Sequence, residues 1–137
     1  MTLVVDASVA LKWVLDEPQS DLAVNLLSQD LIAPSLWLVE AANALWRRAQ
    51  QGQLTSTEVT ERIVELLNAP VASTAVDDDL LAATELALEL GHPVYDCLYL
   101  AMAIREGAVV VTADRRFREA VDRSPVHAGL VRLLSDI

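Results

Sequence analysis

The sequence HPVYDCLYLAMAIREGAVVVTADRRF, residues 92–117, predicts a helix that leads into a buried strand. Apolar residues recur with helical spacing over residues 95–106, and Gly107 can end that helix. Residues 108–111 are continuously apolar, which is typical of a strand that is covered on both faces. The stretch therefore places one helix directly before one central strand.

Two acids lie at the two ends of this helix–strand unit. Asp96 falls in the first turn of the helix, where the partly positive helix end favours an acid and where aspartate is also common without any function. Asp114 comes just past the strand, at the edge where open α/β sheets bind ligands. The start of the chain repeats this pattern, because a short apolar strand ends at Asp6 and Ser8 follows two residues later.

The rest of the chain alternates further strands and helices, in an order that fits a parallel sheet with helices on both faces. A capping-box pair, Thr55 and Glu58, marks one helix start, and Gly91 marks one helix end. The acidic run at residues 77–79 is interpreted as helix caps and dipole partners. The expected strands are residues 3–5, 31–33, 71–76, 108–111 and 130–134, and the expected helices begin near residues 9, 20, 35, 55, 77, 95 and 115.

The composition favours one domain, residues 1–137, with a large apolar core. The hydrophobic fraction is 53%, and the mean hydropathy of +0.34 suits strands covered on both sides and a surface buried in a partner. No apolar run reaches the length of a membrane span, so we expect a cytoplasmic protein without membrane contact. The single cysteine, Cys97, lies on an apolar helix face and is expected to be structural.

The net charge of −10 argues against a general nucleic-acid coat, because phosphate binding needs concentrated Lys and Arg. The net charge does not exclude a local nucleic-acid site. Most of the basic residues lie within about two helical turns of a candidate acid, either as ordinary solvated helix faces or as a rim that steers phosphate. These residues are Lys12, Arg47, Arg48, Arg105, Arg115, Arg116 and Arg118.

The helix that begins near residue 35 carries a fourth candidate acid. Glu40, Asn43 and Arg47 share one helix face, although Glu40 lies inside the apolar stretch SLWLVEAANALW. A carboxylate in such surroundings must reach water in a cleft or be neutralised by a partner.

Asp6, Glu40, Asp96 and Asp114 can meet in one cleft if the sheet switches direction between the first strand and the strand before Asp114. Crowded carboxylates repel one another, which raises their pKa values, and a divalent cation removes the repulsion. A set of oxygen ligands without His or Cys selects Mg²⁺ or Mn²⁺. Such an ion activates water and stabilises phosphate charge, which indicates phosphodiester hydrolysis. The residues that could orient the acids, water or substrate, each also a plausible cap or turn residue, are Ser8, Asn43 and Thr112.

The segments VVDASVALKW, APSLWLVEAANALWRRA and VYDCLYLAMAIREGAVVVTADRRF together resemble PIN-domain ribonucleases of the VapC type, which are toxins of bacterial toxin–antitoxin pairs. The resemblance covers essentially the whole chain. It implies an α/β fold, a three-layer α/β/α sandwich with a five-stranded parallel sheet. It also implies a Mg²⁺- or Mn²⁺-dependent endoribonuclease acting on RNA, a homodimer, and a cognate antitoxin. The catalytic and metal-binding residues carried over are Asp6, Glu40, Asp96 and Asp114.

Where some members of that family carry another acid after the last aspartate, this chain has Arg115 and Arg116, which can hold RNA phosphate. The two histidines, His92 and His127, have no ligand partner at a useful spacing and are interpreted as structural or surface residues. The tryptophans have apolar neighbours, so core or dimer contacts are favoured over base stacking. They are Trp13, Trp37 and Trp46.

Two alternatives to this function stay open. The strand that ends in Asp6 also faintly resembles haloacid dehalogenase phosphatases, in which Asp6 would be the nucleophile, but a well-placed lysine and a second aspartate are missing. The other alternative is a binding module that keeps the PIN fold without turnover.

Overall fold

Five parallel strands form one sheet in the computed structural model, which describes residues 1–137. Across the sheet the first strand is central, with the second and third on one side and the fourth and fifth on the other. The chain therefore leaves the centre in one direction and returns to the other side, as the switch of direction expected from the sequence requires. The strands are β1 (Thr2–Val5), β2 (Asp30–Pro34), β3 (Val71–Thr74), β4 (Val109–Thr112) and β5 (Val131–Leu133).

Helices flank this sheet and follow the strands in the expected order. None of them combines the length and the apolar character that a membrane span requires. Short 3₁₀ segments extend several helices, at Leu11–Trp13, Leu26–Ser28, Val76–Asp79 and Leu134–Asp136. The helices are α1 (Ala7–Ala10), α2 (Ser20–Asn25), α3 (Leu36–Gln50), α4 (Ser56–Leu67), α5 (Leu80–Leu90), α6 (Val94–Glu106) and α7 (Arg115–Asp122).

The element boundaries differ from the sequence expectation mainly at the ends. The strand expected over residues 71–76 ends at Thr74, because Val76–Asp79 turns into a 3₁₀ segment before α5. It is an edge strand with mostly exposed side chains. The first helix begins at Ala7 rather than at Val9, since the Asp6 side chain accepts a hydrogen bond from the Val9 amide and caps the helix.

One apolar cluster of 30 buried residues forms the core around β1, β4 and α6. Helix α6 is the most deeply placed helix, with every residue from 97 to 103 buried. Burial raises the pKa of the Cys97 thiol to about 11, which fits the structural role expected for this residue. Trp37 is fully buried in the core, whereas the side chain of Trp46 is 55% exposed on α3.

The acidic run at residues 77–79 has a structural role that the sequence interpretation missed. Asp79 is only 4% exposed and makes no side-chain capping bond for α5. Its two carboxylate oxygens instead accept hydrogen bonds from Arg105 Nε and an Arg105 terminal nitrogen, at 2.8 and 2.9 Å. This bidentate pair ties the start of α5 to the end of α6, and it keeps a buried charge neutralised.

We expect Arg105→Met to lower the free energy of unfolding by about 2 kcal/mol, because it leaves the buried Asp79 carboxylate without a partner. Urea denaturation measures the change. Arg118→Met is the matched control, since Arg118 contacts only the more exposed acids Asp122 and Asp136, at 3.6 and 3.8 Å. A surface pair of that kind contributes about 0.5 kcal/mol. Equal losses in the two variants would contradict the role assigned to the Asp79–Arg105 pair.

Candidate active site

The carboxyl ends of β1 and β4 place two of the four candidate acids at the switch point of the sheet. The strands are neighbours, with Val5 opposite Val111, and the Asp6 amide donates to the Val111 carbonyl at 3.4 Å. Asp6 and Asp114 therefore emerge at the same edge. Glu40 and Asp96 lie near enough to interact electrostatically with this edge. Burial is the main cause of the raised pKa values of Asp6, Glu40 and Asp96; the Asp96 charge adds to the rise for Asp6 and Glu40, and the Asp114 charge adds to it for Asp96.

Asp6 is the most buried of the four acids, with 6% of its surface exposed. Its oxygens accept hydrogen bonds from the hydroxyls of Ser8 and Thr112 and from the Val9 amide. Burial raises the pKa of Asp6 to about 6, and these hydrogen bonds oppose the rise because they favour the ionised form. The carboxylate is thus fixed in direction and is costly to ionise.

Glu40 is paired with Tyr99, a residue that the sequence interpretation did not single out. The Tyr99 hydroxyl donates to Glu40 Oε1 at 2.5 Å, and the Tyr99 side chain is fully buried on α6. Burial and the neighbouring carboxylate charge raise the pKa of Tyr99, so the phenol remains a donor at all ordinary pH values. Burial raises the pKa of Glu40, and the Tyr99 hydrogen bond opposes that rise. The signal available in the sequence was the position of Tyr99 three residues after Asp96, on one helix face.

Asp96 is paired with His92, and the interpretation of His92 as a residue without a useful partner was wrong. His92 Nε2 lies 2.7 Å from Asp96 Oδ2, and the spacing is i, i+4. The imidazole ring stacks on the buried ring of Phe117, with centroids 5.2 Å apart and planes 14° from parallel. Burial raises the pKa of Asp96, and the hydrogen bond and charge of His92 oppose the rise. His127 lies elsewhere, with Nε2 3.9 Å from Glu89.

Asp114 is exposed and caps α7 through its side chain. Its Oδ1 accepts hydrogen bonds from the amides of Arg116 at 2.9 Å and Phe117 at 3.5 Å. The cap uses one carboxylate oxygen and leaves the side chain facing solvent.

Of the three polar residues expected to orient the acids, Ser8 and Thr112 hydrogen-bond to Asp6, and Asn43 does not. Ser8 Oγ also accepts from the Ala113 amide at 3.0 Å, and Thr112 Oγ1 accepts from the Asp114 amide at 3.0 Å. These two hydroxyls therefore connect Asp6 to the turn that carries Asp114. Asn43 is exposed on α3, and no hydrogen bond joins it to any of the four acids.

A cavity of about 450 Å³ opens beside Asp96 and Asp114. It is lined by His92, Pro93, Asp96, Asp114, Arg116, Glu119, Ala120 and Arg123. Asp6 and Glu40 do not line it. A site of this shape offers solvent-facing carboxylates next to cationic side chains, which suits an anionic ligand bound through a cation.

The donor chemistry of the four acids fits a hard divalent ion, although no group of three or more His, Cys, Asp or Glu side chains is arranged to hold a metal ion. The raised pKa values of Asp6, Glu40 and Asp96 all include the charge of a neighbouring acid. A bound cation relieves that repulsion.

Comparison with known proteins decides the family. The family model described as the PIN domain matches residues 3–122. The chain belongs to the PIN-domain family. It is 34% identical over 123 residues to Ribonuclease VapC3 of Pyrobaculum aerophilum, which covers 87% of this chain and 94% of the relative. It is 31% identical over 102 residues to Exonuclease VapC9 of the same organism, covering 72% of this chain and 73% of the relative.

Solved structures of the same fold support this assignment. The Pyrobaculum aerophilum protein PAE2754 superposes with a TM-score of 0.76 at 22% identity, covering 99% of this chain and 91% of that one. The sarcin-ricin loop cleaving toxin VapC20 of Mycobacterium tuberculosis gives 0.68 at 19% identity, covering 86% and 94%. The structure of VapBC2 from Rickettsia felis, bound to a DNA fragment from its promoter, gives 0.67 at 17% identity, covering 97% and 98%.

These findings confirm the resemblance to VapC-type PIN-domain ribonucleases and the five-stranded parallel sheet flanked by helices. The phosphatase alternative is not favoured, because the similar curated proteins are nucleases.

The burial of Asp6 predicts a pH dependence of stability in the metal-free PIN domain. Its pKa is about 6 in the folded protein against an ordinary value of 3.8, so the folded state holds the proton more tightly than the unfolded chain does. This contribution is fully present below pH 4 and is lost as the pH rises through 6. A shift of about two units corresponds to about 3 kcal/mol. We expect Asp6→Asn to remove this part of the slope in urea unfolding with chelator present, and an unchanged slope would contradict the burial argument.

Proposed function

We propose that this PIN-domain ribonuclease is a Mg²⁺- or Mn²⁺-dependent endoribonuclease in which Asp6, Glu40, Asp96 and Asp114 hold the ion. The observation that carries the proposal is the position of Asp6 and Asp114 at the switch point of the sheet, where burial, with a smaller contribution from neighbouring acids, raises the pKa values of Asp6, Glu40 and Asp96. Three of them have raised pKa values in surroundings that favour a cation, and none of them has a Lys or Arg partner in a salt bridge. Structural ion pairing therefore does not explain why the acids are there.

When bound, a divalent ion lowers the pKa of water and stabilises the charge that develops on a phosphate oxygen during in-line displacement. The chain's own residues direct the carboxylates toward this task. Ser8 and Thr112 orient Asp6, Tyr99 orients Glu40, and His92 orients Asp96. Glu40 and Asp96 each keep one oxygen without a protein donor, whereas both oxygens of Asp6 accept hydrogen bonds and only their remaining lone-pair capacity is open to a ligand.

Positioned donors of this kind matter because acids that face one another would otherwise rotate apart. Tyr99 lies on α6 and His92 lies two residues before its start, and the buried segment of α6 is packed against the sheet. A displacement of α6 would therefore move the partner of Glu40 and the partner of Asp96 together. The packing of α6 against the sheet therefore sets the positions of both donors together.

The proposed partners are RNA, a second copy of this chain and a cognate antitoxin, acting in the cytoplasm. Exposed apolar side chains support the protein partners. Leu81 and Leu88 are seven residues apart on α5 and are 73% and 81% exposed. Val39 and Trp46 have the same spacing on α3 and are 66% and 55% exposed. Apolar stripes of this size favour interaction surfaces, and the Rickettsia felis VapBC2 assembly supports pairing in a related system.

The decisive experiment incubates purified wild type and Asp96→Asn, both freed of any antitoxin, with cellular RNA and Mn²⁺, followed by mapping of the fragment ends. We expect discrete internal cuts with 5′-phosphates from the wild type. Asp96→Asn and a chelated sample should give none, because both remove the ion or its ligand.

Other outcomes have distinct meanings. Loss of nucleotides from RNA ends without internal cuts would contradict the endonuclease and agree with the name of the second relative, an exonuclease. Equal cutting by the wild type and by Asp96→Asn would overturn the role of Asp96. If no RNA is cut although the protein binds metal, the binding-module alternative is favoured.

The metal site is tested independently by melting. We expect Mn²⁺ or Mg²⁺ to raise the melting temperature of the wild type, because an ion that binds only the folded state stabilises it by mass action. Asp96→Asn should remove most of the increase and should melt higher than the wild type in chelator, since it relieves repulsion with Asp114. No shift at millimolar metal would count against the site.

The same titration tests the contact between His92 and Asp96. His92→Phe keeps a ring that can stack on Phe117 and removes the donor. Loss of such a supporting hydrogen bond weakens metal affinity by about 10–100-fold. His127→Phe is the control, because His127 lies 3.9 Å from Glu89 and away from the four acids.

A further inference from the structure

Helix α7 separates the two arginines that follow Asp114 into different cavities. Arg116 lines the cavity of about 450 Å³ that also contains Asp96 and Asp114, together with Arg123. Arg115 instead lines a separate cavity of about 230 Å³, whose other cationic residue is Lys12. The pair of adjacent arginines expected from the sequence therefore does not act on one ligand. Arg116 shares the acidic cavity with Arg123, which the sequence interpretation did not single out.

Arg116 and Arg123 are seven residues apart, which is two turns of a helix, so their side chains leave the same face. Their separation along the helix axis is about 10 Å. Both side chains are exposed, and neither forms a salt bridge. By contrast, Arg118 on the same helix contacts Asp122 and Asp136, at 3.6 and 3.8 Å.

The absence of a salt bridge leaves both guanidinium groups available to an external anion. The protein carries a net charge of −10, so acids are abundant for pairing. Glu119 also lines the cavity, yet it forms a salt bridge with neither arginine. Two guanidinium groups therefore line one cavity with the carboxylates of Asp96, Asp114 and Glu119. The acids suit a metal ion, and the guanidinium groups suit the anion that the ion would bind.

We propose, resting on the function proposed above, that Arg116 and Arg123 form a phosphate-binding wall for the RNA backbone on one side of the scissile bond. Their separation of about 10 Å places them on different phosphates. Arg115 is not part of this wall. Contacts of this kind hold the strand in register without reading its sequence. Both residues are therefore substrate-binding residues, and the chemical step does not pass through them.

This role predicts a specific kinetic signature. Removing an interaction that is equally strong in the substrate complex and in the transition state raises KM and leaves kcat unchanged. Loss of one charge-assisted hydrogen bond corresponds to a change of about tenfold or more. Each lost phosphate contact also reduces the slope of log affinity against log salt by about 0.7 for a single strand.

The experiment measures steady-state cleavage, in Mn²⁺ and over a range of salt concentrations, of a single-stranded RNA that contains a cut site mapped with the wild type. The variants are Arg116→Ala and Arg123→Ala. The controls are Arg115→Ala, which alters the neighbouring cavity, and Arg118→Ala, which alters a paired arginine of the same helix. The increase of melting temperature with Mn²⁺ is recorded for every variant, so that a loss of fold or of metal is seen directly.

We expect KM to rise about tenfold in Arg116→Ala and in Arg123→Ala, with kcat within about twofold of wild type and a smaller salt slope. Neither control should show this pattern. A methylphosphonate at the contacted linkage, which is neutral, should weaken wild-type binding and leave the matching variant unchanged.

Two failures are distinguishable. If the wild type cleaves no RNA, the proposed function fails and this inference fails with it. If the wild type cleaves RNA but Arg116→Ala and Arg123→Ala keep the wild-type KM and salt slope, or if Arg115→Ala loses as much as they do, only the phosphate-binding wall is overturned.

Discussion

The structure depends on holding an ionisable carboxylate, Asp6, with almost no contact with water at the end of the central strand. Burial disfavours the charge, and three hydrogen bonds from Ser8, Thr112 and the Val9 amide favour it. Burial has the larger effect, so the pKa is raised to about 6, and the hydrogen bonds limit the rise. These donors come from the first helix, α1, and from the end of β4. The position of Asp6 therefore requires β1 and β4 to be neighbours in register.

The other acids follow the same rule with different donors. Tyr99 serves Glu40, His92 serves Asp96, and the amides at the start of α7 serve Asp114. These hydrogen bonds hold each carboxylate in place without a cation. They also prevent the like charges from moving apart. The acids therefore remain close enough to repel one another, and a cation can relieve that repulsion. Raised pKa values and protein hydrogen-bond donors are consequently found together in this site.

Much of this could be read from the sequence, and the reasons for the exceptions are physical. Asp6 and Asp114 follow apolar runs of strand length, so their place at the sheet edge needed only the rule for parallel strands. Asp96 was located by the turn signals around its helix, and Glu40 by its apolar neighbours. Tyr99 and His92 were missed because their partners depend on helix packing and rotamers, although the i, i+4 spacing of His92 and Asp96 was visible. Asp79 was taken as a cap because its partner, Arg105, is 26 positions away. Arg115 and Arg116 look equivalent in sequence, yet consecutive helical residues diverge by about 100° and face different cavities.

The net charge of −10 and a polyanionic substrate are less opposed than they first look. Charges on the exposed surface interact over a Debye length of about 8 Å at physiological salt, so the field that a phosphate meets inside a cavity is set by the few groups that line it. Acids spread over the outer surface weaken non-specific attachment to nucleic acid, which arises from unspecific contacts with phosphate. Within the cavity, Arg116 and Arg123 form no salt bridge and offset two of the three acids that line it, Asp96, Asp114 and Glu119. On the function proposed above, the acidic exterior therefore limits RNA attachment to this cavity, which favours selectivity.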